Sequence, residues 1–250
     1  MAEAVQKATV RVWRGDAQGG AFVEYKVPAE PGMVVLDALI YIQANYAPDL
    51  AIRWNCKAAH CGSCSAEVNG KPRLTCKTRL SEFEGETITV APMKAFPLIK
   101  DLVTNVKWNY DVAQQIPPLQ PPSDSQQPWI MYQRDVERAQ EFHKCIECFL
   151  CQDVCHVLRT HHKMAQFAGP RFLVKLAALE MHPLDAGNRL QFIREKAGIG
   201  YCNITKCCTE VCPESITITD NAIIPLKERL ADQYYDPLRW LLRRIAGNSK

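Results

Sequence analysis

The chain is 250 residues long, with 47% apolar and 23% charged residues and a formal charge of +3. That length accommodates one large domain or two of ordinary size, and so mild a charge, with no dense Lys/Arg stripe, gives no reason to expect nucleic acid as a partner. No run approaches ~18 consecutive apolar residues, and the opening MAEAVQKATVRVW lacks the basic start and apolar core of a signal peptide, so the expected setting is cytoplasmic or cytoplasm-facing.

The first hundred residues predict strands with one helix. ATVRVW and AFVEYKV alternate with period two and carry the β-branched content of strands, with a Gly/Asp turn between them. MVVLDALIYIQANY has apolar residues at helical spacing, which predicts a helix near residues 34–46. SCSAEVNGKPRLTC reads as a hairpin turning at Asn69-Gly70, and GETITVAPM as a further strand. Composition changes over 107–128, where QQIPPLQPPSDSQQP is rich in Pro, Gln and Ser and is expected to be an extended, solvated linker. From Trp129 onward RDVERAQEFHKC, GPRFLVKLAALEMHP, NRLQFIREKAG and IPLKERLADQYY predict helices with cysteine loops between them. The expected organisation is α+β: a strand-rich domain over 1–106, a linker over 107–128 and a helical domain over 129–250.

Twelve cysteines fall in three tight groups: 56, 61, 64 and 76; 145, 148, 151 and 155; 202, 207, 208 and 212. A reducing compartment opposes a disulfide framework, and gaps of two to four residues are how metals are held. CKAAHCGSC gives C-x4-C-x2-C, with Cys76 eleven intervening residues further on; the first spacings are those of a plant-type [2Fe–2S] site. Two tetrahedral irons that share two sulfides need two protein sulfurs each. Small neighbours, Ala58, Ala59, Gly62 and Ser63, let the backbone wrap closely and aim amides at the sulfurs, which favours the reduced cluster. Structural zinc also accepts four cysteines, but it prefers two separated knuckles to three ligands on one loop.

CIECFLCQDVC is C-x2-C-x2-C-x3-C, the bacterial ferredoxin run, in which the fourth cysteine ligates the other cluster. A second copy is therefore expected, and laying the same spacing on CNITKCCTEVC selects Cys202, Thr205, Cys208 and Cys212. The crossover rule gives one site of four ligands, Cys145, Cys148, Cys151 and Cys212, suited to [4Fe–4S]. The other has three, Cys155, Cys202 and Cys208, and a cube without a thiolate at Thr205 readily loses one iron to leave [3Fe–4S]. Pro213 follows Cys212 as the pattern expects, whereas His156 follows Cys155. Cys207 is surplus. It is either a small hydrophobe with an inert thiol, which its adjacency to Cys208 favours, or a fourth ligand that makes a second [4Fe–4S].

With the three groups in this order, the chain resembles the iron–sulfur subunits of succinate dehydrogenase and fumarate reductase over nearly its full length. The short final gap before Cys76 and the non-cysteine at Thr205 both match that family. The resemblance implies an N-terminal β-grasp plant-type ferredoxin domain and a C-terminal all-helical, bacterial-ferredoxin-like domain. It implies [2Fe–2S] on Cys56, Cys61, Cys64 and Cys76, and the same two ligand sets for [4Fe–4S] and [3Fe–4S] that the repeat gives. It also implies an FAD-containing flavoprotein partner that oxidises succinate, membrane anchor subunits with quinone, and a peripheral place at the cytoplasmic face of the cell membrane. Several members line a quinone pocket with tryptophans after the Cys155 position and a histidine after the Cys202 position. Here those places read HVLRTHH and Asn203, which makes His156, His161, His162 and Asn203 the quinone-site candidates; the histidines equally suit capping and packing of helices.

No G-x-G-x-x-G follows a strand, so nothing in the sequence binds flavin, and the expected role is the wire within a larger assembly. The rival expectations are the cluster subunit of fumarate reductase or of another flavin-linked quinone or disulfide reductase, and a zinc-organised binding module. Near the C-terminus, Trp240, Leu241, Leu242 and Ile245 interleave with Arg239, Arg243 and Arg244, a pattern that suits a partner, lipid headgroups or the domain's own surface.

Overall fold

The computed structural model describes residues 7–123 and 128–237. The C-terminal stretch carrying Trp240 and Arg243 lies outside the described residues. Strands β1 (Lys7–Asp16) and β2 (Gly19–Pro28) form an antiparallel hairpin, and helix α1 (Val35–Asn45) follows. Val10 and Val12 of β1 point inward and are fully buried, as period-two alternation requires, and α1 lays Val35, Ala38, Leu39 and Ile42 over them. The α1 N-terminus is secured by Asp37, which accepts the Val34 amide at 3.1 Å. Strands β3 (Ser65–Val68) and β4 (Lys71–Leu74) form the expected hairpin, with Asn69 and Gly70 both at positive φ. Strand β5 (Ile88–Ala91) runs parallel to β1 and antiparallel to β3. Two strands that sequence periodicity does not mark, β6 (Leu98–Lys100) and β7 (Val103–Thr104), complete a seven-stranded mixed sheet.

Helix α2 (Lys107–Gln115) occupies the start of the segment expected to be an extended linker. Its apolar pair Trp108 and Val112 is one turn apart and packs on the helical core, with the Trp108 and Phe172 rings edge to face at 6.2 Å. Two apolar positions are too few to register as periodicity, so the helix is visible only through what it packs against. The Pro117 and Pro118 carbonyls that follow accept hydrogen bonds from the guanidinium of Arg189, which is buried and also ion-paired with Asp185 at 2.8 Å. The proline run is thus strapped to the helical half over this stretch.

That half consists of α3 (Gln133–Gln140), a 3₁₀ turn (Glu141–Lys144), α4 (Leu150–Val154), α5 (His156–Arg159), α6 (Pro170–Glu180), α7 (Leu190–Glu195), α8 (Cys207–Glu210), a π-helical segment (Ile218–Ile223) and α9 (Ile224–Tyr234). Phe142, Phe167, Phe172, Leu176, Ile193 and Leu226 fill its core around α6.

The two halves meet on the cysteine loops. Leu36, Cys64, Leu74 and Cys76 from the first share a buried cluster with Cys148 and Leu150 from the second. The Ser65 hydroxyl lies 2.8 Å from the Cys148 carbonyl, and buried Glu67 pairs with Arg159 of α5 at 2.8 Å. Asp153 accepts the Ala95 amide at 2.9 Å; burial, aided by the neighbouring Glu67, pushes its carboxyl up to about 7. Gly62 has φ +67°, and a Cβ there would stand 2.6 Å from the Cys148 Cα. Only glycine permits this approach. Gly62→Ala is therefore expected to cost about 2 kcal/mol through overpacking and backbone strain. Denaturant unfolding followed by cluster absorbance and far-UV dichroism checks it: both midpoints should fall together relative to the wild type.

Candidate functional site

Cys56, Cys61, Cys64 and Cys76 come together on the loop after α1 and at the end of β4. The loop turns back on itself through left-handed residues at Lys57, Ala59 and Gly62. Such residues cost roughly 1–2 kcal/mol each when they are not glycine, and here they aim backbone donors inward. The amides of Ala58 and His60 both donate to Cys56 Sγ at 3.3 Å, as the small neighbours predict. Burial resists ionisation of Cys61, but hydrogen bonds from Cys56 and Ser63 outweigh it and bring the thiol down to about 6. Burial, together with the adjacent Cys64 thiol, lifts Cys76 to about 11. One loop thus holds an ionisable thiol beside a reluctant one.

The hidden repeat is visible in the backbone. In the first copy Glu147 and Phe149 have positive φ; in the second, Ile204 and Lys206 do. These are two and four residues after Cys145 and Cys202 respectively, and each copy then enters a short helix, α4 or α8, at the next residue. Thr205 sits between its two left-handed neighbours as Cys148 does between its own, so the ligand backbone is retained where the sulfur is not.

The thiols of the second and third cysteine groups sort into neighbourhoods. Burial pushes Cys148 up to about 12, and its charged neighbours are Cys145 and Cys212. Burial likewise holds Cys151 well above the ordinary thiol value, beside Cys148, Cys145, Cys208 and Cys212. Cys212 is raised by burial and by Cys145, although the Ile216 amide donates to its sulfur at 3.4 Å. Cys145, Cys148, Cys151 and Cys212 line one small cavity whose walls include Ile146, Phe149, Val174, Ile216 and Ile218. Cys155 and Cys208 form the other neighbourhood: burial lifts each to about 11, with Cys208 adding to Cys155 and Cys202 adding to Cys208. Cys207 stands in this second group beside both Cys155 and Cys208.

Thiols that burial and their own neighbours keep protonated make a donor set that only added positive charge can ionise, and iron supplies it. Among the described residues no three His, Cys, Asp or Glu converge closely enough to hold a single ion.

Sequence reasoning misses Thr219. Its buried hydroxyl lies 3.5 Å from Cys208 Sγ, within hydrogen-bonding reach of a sulfur. It is carried by the π-helical segment, and no spacing motif marks it. Of the quinone-site candidates, His156 and His161 are brought together, their rings edge to face at 6.0 Å. His162 and Asn203 are exposed, as are Tyr201 and Ile204 beside Cys202. Among the described residues no helix is long and apolar enough to cross a membrane.

Two family models and several known proteins match the chain. Residues 9–111 match a family model described as a 2Fe-2S iron-sulfur cluster binding domain, and residues 141–216 one described as a 4Fe-4S dicluster domain. The fumarate reductase iron-sulfur subunit of Haemophilus influenzae is 30% identical over 208 residues, covering 77% of this chain and 80% of that protein. That of Wolinella succinogenes is 29% identical over 232 residues, covering 84% and 92%. A chain of the solved Mycobacterium smegmatis Sdh1 complex in the apo form superposes with a TM-score of 0.91 at 58% identity, covering 94% of this chain and 99% of that one.

Because Cys64, Cys76 and Cys148 lie in the core shared by both halves, iron and fold should be lost together. Stripping iron with a chelator under reducing conditions is expected to lower the thermal unfolding midpoint of the sheet and the helices alike. A dichroism melt unchanged by iron removal would count against that coupling.

Proposed function

The chain belongs to the family of succinate dehydrogenase and fumarate reductase iron–sulfur subunits, and we propose that it serves as the electron relay of a succinate:quinone oxidoreductase. In this reading Cys56, Cys61, Cys64 and Cys76 hold [2Fe–2S], Cys145, Cys148, Cys151 and Cys212 hold [4Fe–4S], and Cys155, Cys202 and Cys208 hold [3Fe–4S]. When bound, these groups supply one-electron redox chemistry. A flavoprotein subunit with FAD delivers the electrons, and a membrane anchor with quinone receives them at the cytoplasmic face.

The observation that carries the reading is an unbroken line of contacts between the three thiol groups. Gly62 and Ser65, on the first cysteine loop, touch Cys148 of the second group, and Cys151 of the second neighbours Cys208 of the third. The chain's own residues do the rest. Leu36, Leu74 and Leu150 keep water from the first junction. The Ala58, His60 and Ile216 amides place positive dipoles on ligand sulfurs, which favours the reduced state. The third group opens on exposed Tyr201, Asn203 and Ile204, a surface suited to a quinone-bearing partner, and His156, next to Cys155, pairs its ring with His161. Identity of 58% to a chain of the Sdh1 complex, against 30% and 29% to the two fumarate reductase subunits, favours succinate oxidation as the working direction.

Co-purification tests the assignment: a flavoprotein that oxidises succinate should accompany the chain, and a partner inert to succinate and fumarate would contradict it. Low-temperature EPR of the oxidised protein should contain a three-iron signal. Cys212→Ser should remove the reduced four-iron signal and spare the three-iron one; Cys155→Ser should do the reverse. Thr205→Cys should turn the three-iron signal into a four-iron one.

A further inference from the structure

We propose that Cys207 is a latent fourth ligand of the third centre, through which that centre takes up a ferrous ion and becomes a four-iron cluster. The proposal rests on the reading of Cys155, Cys202 and Cys208 as a three-iron site. Thr205 occupies the backbone position of a ligand, set between left-handed Ile204 and Lys206 as Cys148 is set between Glu147 and Phe149. What the second copy lacks is a sulfur. Cys207 Sγ stands 3.3 Å from Thr205 Oγ1, the side-chain oxygen at the ligand position. The same thiol is an electrostatic neighbour of Cys155 and of Cys208. It therefore adjoins two proposed ligands and the corner that has none.

Adjacency to Cys208 is no obstacle. Successive residues on a helix project about 100° apart, and the first turn of α8 uses that angle. Cys208 is buried against Thr219, while Cys207 turns toward Thr205. In the first copy the equivalent of Cys207 is Leu150, buried in the core between the two halves, where only an apolar side chain fits. In the second copy that position is half-buried beside exposed Thr205 and Lys206, within reach of an ion from solution.

The chemistry balances with species the relay and the solvent provide. An oxidised three-iron core first gains one electron, which electron relay itself delivers. Cys207 then loses its thiol proton to water and forms one sulfur–iron bond to a ferrous ion from solution, which joins the core with no further change of electron count. Oxidation and loss of that ion reverse the step and return the thiol. Cluster type is one of the determinants of potential, so iron supply and redox state would together set how readily the last centre accepts an electron.

The test uses the intact complex with wild-type, Cys207→Ser or Cys207→Ala chain. Each is reduced anaerobically with dithionite, given ferrous ammonium sulfate enriched in the Mössbauer isotope, desalted, and returned anaerobically to the oxidised three-iron level with a mild quinone acceptor before EPR. The wild type should incorporate one labelled iron per chain in a four-iron environment and lose most of its three-iron EPR signal. Both variants should keep that signal and incorporate several-fold less label. A wild type that takes up no label, or variants that take up as much, would overturn the role of Cys207. If the untreated, oxidised wild type has no three-iron signal, the three-iron reading itself fails. The variants then decide the ligand: a three-iron signal appearing in them supports Cys207, and its absence there overturns it.

Discussion

Burying a thiolate without a countercharge is costly enough that the thiol keeps its proton instead, and this constraint governs the second and third cysteine groups. The ionisable neighbours of Cys151 are four other thiols, and burial, the largest cause, raises it well above the ordinary thiol value. A core built this way is complete only when iron neutralises the sulfurs. The same sulfurs are structural: Cys64, Cys76 and Cys148 help to fill the cluster of side chains that joins the two halves. Metal binding, folding and the docking of one half on the other are therefore one problem with one solution.

The interlocked repeat is the second consequence. Each copy turns through two left-handed residues and enters a short helix, and in the proposed assignment it sends its last cysteine to the other copy's site. In that assignment neither site closes without both copies, which would hold the segment between them, including α6 and the core around Phe172, at a fixed span. The junction with the sheet is equally tight, because Gly62 brings one loop's backbone against the other's with no side chain between. A relay needs such short, dry separations, and the fold provides them through backbone contact.

Much of this was legible in the sequence, and the exceptions have physical reasons. The helix expected near 34–46 is α1 at Val35–Asn45, and the Asn69-Gly70 hairpin turn is in place, because both carry local signals strong enough to fix local structure. Helix α2 did not, since two apolar residues define it only through Phe172 and the core opposite. Spacing could select Cys208 over Cys207 for the repeat, yet it could not say where the Cys207 sulfur points; that depends on the helical turn of α8 and on Thr205 beside it. Thr219 was invisible for the same reason, since its nearness to Cys208 comes from a π-helical segment eleven residues away in the chain.

The central claim is that two interleaved half-motifs exchange their final cysteines, so that three separate iron centres lie in line. Anomalous diffraction at the iron edge, on crystals of the holoprotein complex, tests it most directly. The account predicts three distinct iron centres in this chain, with Cys212 Sγ on the centre of Cys145, Cys148 and Cys151, and Cys155 Sγ on that of Cys202 and Cys208. Finding Cys151 and Cys155 on one centre, or an anomalous edge belonging to zinc, would contradict it.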